Sequence, residues 1–183
     1  MEIVPLNYLR TLLLLKRKGI KYGKRPYIAG SMPILNNDGE FRVGDKFSMR
    51  NYQFKSEISC AEDAELIMGN LVGINQGSTI YAAESIRIGS NVLIGDRTTI
   101  YDTNFHQVEE DSIITRPVEI GDNAWIGVRT IILPGAKIGK NAVIGAGSLV
   151  TKSIPDDHLA VGSPAKVIKK IENPVVRSPR MDW

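Results

Sequence analysis

Branched aliphatic residues recur at every sixth position between residues 120 and 155. Each of six consecutive units opens with one of them, and the fifth place of each unit holds a small or aliphatic residue. The opening residues are Ile120, Ile126, Ile132, Ile138, Ile144 and Val150. Asn or Gly fills the fourth place in four of the six units, where a type II turn needs a residue with positive φ. The six-residue period predicts a parallel β-helix, in which each unit forms a short in-out-in strand and a corner.

The period is less regular in the first half of the chain. It is clear again from Ile74 and Ile80, which the spacing assigns to fifth positions of their units. Val43 lies 45 residues before Ile88, which is not a multiple of six. We therefore expect one three-residue slip between residues 49 and 70.

A loop interrupts the repeat once. Ile100 and Ile120 are separated by 20 residues where six are expected, so a segment of about 102–117 leaves the β-helix and carries His106. Loops that protrude from a rigid scaffold are common places for functional residues.

Three units per coil predict three columns of outward side chains. The first column holds Asn75, Leu93, Trp125 and Val143, the second holds Tyr81, Thr99, Ile131 and Leu149, and the third holds Arg87, Glu119, Lys137 and Pro155. Two columns are largely apolar and one is charged. Because large apolar patches on a protein surface are usually covered, we expect two faces to contact other subunits, with a homotrimer as the simplest closed ring.

Outside the repeats, the pattern predicts an N-terminal amphipathic helix with an irregular connection (1–40) and a C-terminal extension (156–183) around the β-helix domain (41–155). Leucines with flanking Lys and Arg form the helix, which should end near Gly19. It either packs on the protein body or on a neighbouring subunit, or it lies on an anionic membrane surface. Ser163 and Pro164 suggest the cap and first residue of a second helix.

Charge and composition narrow the function. The net charge of +3 hides an asymmetry, because residues 1–25 carry seven Lys or Arg and one acid. The basic character therefore belongs to one end of the chain and does not indicate a nucleic-acid-binding surface. Cys60 is the single cysteine, which fits a reducing compartment. No stretch has the pattern of an export signal or a membrane span, so we expect a cytoplasmic protein with possible peripheral contact through residues 1–25.

Several segments carry a family likeness. They are the D-x-N-F-H motif at 102–106, the N-A-W-I-G motif at 123–127, and the runs 144–152 and 160–166. The region that contains them, 88–171, resembles the hexapeptide-repeat acetyltransferases, specifically the galactoside and maltose branch together with the capsular and exopolysaccharide O-acetyltransferases. The resemblance implies a left-handed β-helix, a homotrimer with active sites between subunits, and transfer of acetyl from acetyl-CoA to a sugar hydroxyl in polysaccharide biosynthesis, with no metal.

The resemblance also implies roles for individual residues. His106 matches the general base, which takes the proton of the attacking hydroxyl, and Asp102 or Glu109 could orient its imidazole. The matching orienting and acceptor-binding residues are Asn75, Gln76, Asp102 and Asn104. The matching acetyl-CoA-binding residues are Trp125, Val128, Ala146, Thr151, Lys152 and Lys166. At Gly77 the chain departs from the family pattern, in which some relatives have Asn.

Other functions stay open at this point. The runner-up is an N-acetyltransferase that acts on an amino sugar, free or nucleotide-linked. An acyl-carrier-protein-dependent sugar acyltransferase and a non-catalytic β-helix scaffold are further alternatives. A γ-type carbonic anhydrase is disfavoured because it needs three His ligands for zinc and this chain has two His.

Overall fold

A computed structural model describes residues 6–107 and 113–175. These residues form one helix, α1 (Leu6–Arg17), followed by 20 short strands. The strands wind into a three-sided parallel β-solenoid of about 6 turns. Within the described ranges, no helix is long and apolar enough to cross a membrane.

Each side of the solenoid is one sheet. Face A consists of β1 (Lys21–Tyr22), β4 (Glu40–Val43), β7 (Glu65–Met68), β10 (Ser85–Ile88), β13 (Val118–Ile120) and β16 (Lys137–Ile138). Face B consists of β2 (Tyr27–Gly30), β5 (Ser48–Asn51), β8 (Gly73–Asn75), β11 (Leu93–Ile94), β14 (Trp125–Ile126), β17 (Val143–Ile144), β19 (His158–Val161) and β20 (Lys166–Lys170). Face C consists of β3 (Ile34–Asn37), β6 (Glu57–Cys60), β9 (Thr79–Ala82), β12 (Thr99–Tyr101), β15 (Ile131–Ile132) and β18 (Leu149–Val150).

Stacked aliphatic side chains fill the interior. Successive strands of each face pair in register, so the inward residue of one coil lies directly on that of the next. On face B this column consists of Ile28, Met49, Ile74, Ile94, Ile126, Ile144 and Ala160, all of them buried. The column makes the solenoid rigid, and the predicted all-β parallel helix is confirmed. The left-handed sense stays a prediction.

The expected single slip between residues 49 and 70 is wrong. Met49 pairs with Ile74, 25 residues later, and Ile74 pairs with Ile94, 20 residues later. On face B, the coil is 18 residues long only from Ile126 to Ile144. Only the strands must stay in register from one coil to the next. The extra residues of the early coils therefore lie at several of the corners between strands. Ile74 therefore occupies a first position of its unit.

This register changes two of the predicted outward columns. Leu93 and Trp125 follow Gly73, and Asn75 lies two residues further along β8. On face C, Thr99 pairs with Thr79, and Tyr81 pairs with Tyr101 instead. The placement of Asn75 in the column of Trp125 is thus wrong.

On face A the charged column is confirmed for Arg87, Glu119 and Lys137. The placement of Pro155 in it is wrong, because Ile138 bridges Ile154 and Pro155 therefore lies in the register of Gly139. Glu119 lies between Arg87 and Lys137 in the register, and Lys137 Nζ is 2.9 Å from a Glu119 carboxylate oxygen. Arg87 also pairs with Glu65. These exposed ion pairs contribute little stability, but they show that face A presents charged side chains to solvent.

The two ends of the chain differ from their predicted structures. Residues 20–40 do not form an irregular connection, because β1, β2 and β3 within them build the first coil. After residue 156 the chain forms no helix at Ser163 and Pro164. Leu159 instead extends face B by pairing with Val143, and β20 returns antiparallel to β19. The exposed edge of β17 presents backbone N–H and C=O groups. A neighbouring strand can bond to these groups, whereas a helix would leave them unpaired.

Candidate active site

An aromatic stack holds the start of the His106 loop against face C. The Phe105 ring centroid lies 4.9 Å from that of Tyr81 and 5.2 Å from that of Tyr101, in an edge-on arrangement with the latter. The two tyrosines are register partners on β9 and β12. Sequence reasoning missed this stack. The signal was present in the 20-residue spacing of the two tyrosines, which equals the length of that coil.

His106 follows Phe105 in a tight turn. Phe105 has a φ of 59°, in the left-handed region, and the His106 amide donates a hydrogen bond to the Asn104 carbonyl at 2.7 Å. The His106 side chain is exposed. Its imidazole has no hydrogen-bond partner among residues 6–107 and 113–175, so it is accessible to a substrate or to a neighbouring chain.

The base of the loop is closed by Asn104. Its side-chain oxygen accepts a hydrogen bond from the Ile114 backbone amide at 2.9 Å, and its backbone amide donates to the Ile114 carbonyl at 3.1 Å. The hydroxyls of Thr103 and Thr115 meet at 3.1 Å beside this pair. The geometry favours a structural task for Asn104, which fixes the position from which His106 protrudes.

Asp102 is fully buried below the loop. One carboxylate oxygen accepts the Ala83 amide at 2.7 Å, and the other accepts the amides of Glu84 and Ser85 at 2.8 Å each. These three bonds hold the corner before β10, and the geometry favours this structural task. Glu109, the other residue considered for orienting His106, lies outside the described residues.

A second group of predicted residues lies at the corner between faces B and C. Gln76, Asp96, Val128 and Ala146 occupy the same place in consecutive coils, because each carbonyl from Gln76 to Val128 accepts an amide of the following coil at 2.8–2.9 Å. Asn75 ends β8 directly before Gln76, and its carbonyl accepts the Ser78 hydroxyl at 2.8 Å.

One backbone amide in the lower part of this corner is capped by a side chain. Gln76 accepts a hydrogen bond from the Gln53 amide at 2.9 Å, and it donates to Asp96 at 3.2 Å. Val128 and Ala146 carry no side-chain oxygen. In the described part of the chain, the amides of Val128 and Ala146 have no hydrogen-bond acceptor.

The corner between faces A and B shows that this exposure is local. There the amide of Ser90 donates to Asp122 at 2.6 Å, and the amide of Lys140 donates to Asp156 at 2.7 Å. Each carboxylate comes from the next coil. The corner between faces B and C therefore offers two successive N–H donors, spaced by one strand separation of about 4.8 Å.

Apolar surface adjoins these donors. The Trp125 side chain is 45% exposed and that of Val128 is 44% exposed, although both belong to the most regular part of the solenoid. The aliphatic chain of a ligand binds well against an apolar wall that also offers a few fixed hydrogen-bond donors. This corner therefore has the character of a site for an amide-containing arm.

Cationic and hydroxyl groups lie beyond the corner, at the C-terminal end of the solenoid. Thr151 and Lys152 are exposed after β18, and Lys166 is exposed at the start of β20. The turn between β19 and β20 crosses β18, because the Leu149 amide donates to the Gly162 carbonyl at 2.9 Å. The turn brings Lys166 to the same end of the molecule as Thr151.

Gly77 has a packing reason. The Phe54 ring stacks on the Arg97 guanidinium, whose central carbon lies 4.1 Å from the ring centroid. Gly77 has a φ of 69°, and a Cβ there would lie 3.1 Å from the Arg97 side chain and 3.2 Å from that of Phe54. An Asn side chain would be strained at this position. The departure from the family pattern at Gly77 therefore goes together with the extra corner residues that carry Phe54.

The structure thus brings the predicted residues to two edges of face C. Gln76, Val128 and Ala146 lie at the edge toward face B, and the His106 loop leaves from the edge toward face A. Face C separates these two groups within one chain.

Two other residues were considered for chemistry. Cys60 is buried, and burial raises the pKa of its thiol, so it is a poor nucleophile. His158 bonds through Nδ1 to the Asp156 backbone oxygen at 2.6 Å. In the two described ranges, no group of three or more His, Cys, Asp or Glu side chains is placed to hold a metal ion.

Residues 117–152 match the bacterial transferase hexapeptide family, described by six repeats. The chain carries a hexapeptide-repeat transferase domain. This match covers the region where both free amides lie.

Named relatives of the transferase domain include a galactoside O-acetyltransferase of Lactococcus lactis. It is 42% identical over 110 residues, which cover 57% of this chain and 53% of the relative. The chain spans about half the length of the curated relatives it matches.

Solved structures with the same fold include two that contain coenzyme A. A galactoside acetyltransferase in complex with coenzyme A is 26% identical, with a TM-score of 0.58 over 92% of this chain and 74% of that one. A mutant of AntD, an N-acyltransferase from Bacillus cereus in complex with dTDP and coenzyme A, is 23% identical. It has a TM-score of 0.72 over 92% of this chain and 93% of that one. At that identity, the second likeness concerns the fold alone.

Proposed function

We propose that this protein transfers an acetyl group from acetyl-CoA to a hydroxyl of a saccharide or polysaccharide precursor. The pair of uncapped amides at Val128 and Ala146 is the observation that carries the proposal. The pantetheine arm of CoA contains two amides, and fixed N–H donors beside apolar surface suit it. The acetyltransferases among the sequence relatives, and the coenzyme A in a solved relative, support the same assignment.

His106 acts as the general base in this proposal. Its imidazole takes the proton of the sugar hydroxyl while the oxygen attacks the thioester carbonyl. The C–S bond then breaks, the CoA sulfur leaves and accepts the proton from the imidazolium, and the sugar becomes an acetyl ester. Neutral imidazole suits this exchange near pH 7, and the exposed position of His106 gives it access to the hydroxyl.

The active site lies between subunits of a homotrimer in this proposal. The base and the CoA-binding donors lie at opposite edges of face C, so the complete site draws on two chains. Thr151, Lys152 and Lys166 bind the phosphates at the nucleotide end of CoA, because cations and hydroxyls are the usual phosphate partners. Asn75 and Gln76 lie toward the acceptor. The cytoplasm, where acetyl-CoA is made, is the proposed location.

The first test measures the melting temperature with and without CoA, since this needs no acceptor. A ligand at 100 times its dissociation constant stabilises the folded state by about 2.7 kcal/mol. That corresponds to a rise of about 5–10 °C for a chain of this size. Adenosine alone should give no comparable shift. Absence of a shift at millimolar CoA would contradict the proposal.

An acceptor screen then separates oxygen from nitrogen as the acetylated atom. Matched pairs of a sugar and its amino sugar are compared for release of free CoA thiol. After unreacted acetyl-CoA has been removed, alkaline hydroxylamine cleaves an oxygen-ester product and leaves an amide intact. A hydroxylamine-resistant product that forms only from amino sugars would replace the O-acetyltransferase assignment with the N-acetyltransferase alternative.

A further inference from the structure

Helix α1 packs on the solenoid through one narrow face. Thr11 and Leu15 are buried, and Leu15 joins the core. The Thr11 hydroxyl accepts a hydrogen bond from the Ile28 amide at 3.0 Å and donates to the Asn7 carbonyl at 2.7 Å. These contacts fix the rotation of the helix about its own axis, and the helix closes the first coil.

Three leucines of the helix lie on the side away from the solenoid. Leu6, Leu9 and Leu13 are 72%, 53% and 60% exposed. At about 100° per residue, these three leucines fall within an arc of about 60°, opposite Thr11 and Leu15. We call Leu6, Leu9 and Leu13 the leucine stripe. It points directly away from the protein body.

Basic side chains flank the leucine stripe on both sides. By the same geometry, Arg10 and Arg17 lie about 50–70° to one side, and Lys16 lies about 50° to the other. All three are exposed, and the helix contains no acidic residue. Lys18, Lys24 and Arg25 are exposed just beyond its end.

We propose that the leucine stripe and its basic flanks dock the protein on an anionic lipid surface. An interfacial helix inserts its apolar residues at the level of the headgroups, while flanking cations meet anionic lipid. A second copy of the same helix is a poorer partner, because pairing two stripes about a two-fold axis would place Arg10, Lys16 and Arg17 near their own copies. The orientation is fixed in advance by the Thr11 and Leu15 contacts. This surface is separate from the proposed transfer reaction.

The test measures binding of the full chain to vesicles by flotation. The probes are vesicles of phosphatidylcholine alone and vesicles with about 30% phosphatidylglycerol. The wild type should bind the anionic vesicles and not the neutral ones. Leu9→Ser with Leu13→Ser should weaken binding at least about tenfold, because leucine burial is lost. Arg10→Gln with Arg17→Gln should weaken it about fivefold or more and reduce its salt dependence.

Controls distinguish lipid binding by the leucine stripe from nonspecific hydrophobic adsorption and from a role of the stripe in subunit contacts. Ile168 is 58% exposed on the C-terminal hairpin, and Ile168→Ser should leave vesicle binding unchanged. The leucine variant should keep its melting temperature and its oligomeric state by light scattering. The proposal is overturned if the wild type fails to bind anionic vesicles at low salt, or if the leucine variant binds them as the wild type does. A changed oligomeric state in that variant would also overturn it, since the stripe would then be a subunit contact.

Discussion

At the scale of single residues, Phe105 and Asn104 hold the backbone from which His106 protrudes. Phe105 fixes the loop by stacking on face C, and Asn104 closes its base through two hydrogen bonds to Ile114. The imidazole is thereby presented on a defined backbone without being buried. A base held this way can be removed with little effect on the fold.

Replacement of His106 therefore provides a clean test of the base. His106→Ala should lower turnover by a factor of about 100 to 10,000, the usual contribution of a general base. The melting-temperature shift with CoA should persist. His158→Ala is the matched control, because the His158 ring bonds to the Asp156 backbone oxygen and has no role in the proposed reaction. Its turnover should stay near that of the wild type. A near-normal rate for His106→Ala would remove His106 from the mechanism.

At the scale of elements, the corners differ more than the strands do. The parallel strands of each face keep one register, whereas each corner is free to carry a cap, an insertion or a free amide. The corner between faces A and B repeats its capping bond in several coils, including the bond from the Asp45 amide to Asn70 at 2.7 Å. The corner between faces B and C has such a cap at the Gln53 amide, and in the described residues it has none at the amides of Val128 and Ala146.

Adding a cap should test the role of the free amides. Ala146→Asn places an amide oxygen where it can accept the Val128 N–H, as Asn70 does for Asp45. CoA affinity should fall about 3- to 10-fold, the effect of one hydrogen bond, while the melting temperature without ligand stays or rises slightly. Calorimetric titration with CoA gives the affinity.

Ala146→Val is the matched control for this experiment. Val has a similar size but no oxygen, so the Val128 amide stays free. If Asn and Val reduce CoA affinity equally, bulk alone explains the loss, and the amide of Val128 has no part in binding.

This difference between strands and corners explains what the sequence could predict. Inward aliphatic residues repeat because register requires them, so the solenoid, the His106 loop and the charged face follow from spacing alone. Corner insertions leave no periodic trace, and a single three-residue slip is therefore a wrong account of the coils from Met49 to Ile94. The C-terminal hairpin was missed for another reason. Its strand pairing depends on the open edge of β17, which is a tertiary feature.

At the scale of the whole molecule, the proposed site requires two distant edges of face C to meet. The outward side chains of faces B and C are largely apolar, with Trp125 and Ile131 each over 40% exposed, whereas face A carries ion pairs. Covered B and C faces in a closed ring would bring the corner of one chain toward the His106 loop of the next.

Mixed oligomers test this arrangement directly. His106→Ala removes the base, and Ala146→Trp covers the CoA corner at an exposed position. Each variant alone should be nearly inactive. When both are co-expressed and assemble at random, about one quarter of the shared sites receive an intact His106 from one chain and an intact corner from its neighbour. Activity should therefore recover to about one quarter of the wild-type value. If each site lay within one chain, no mixed oligomer would contain an intact site, and activity would stay at the level of the separate variants.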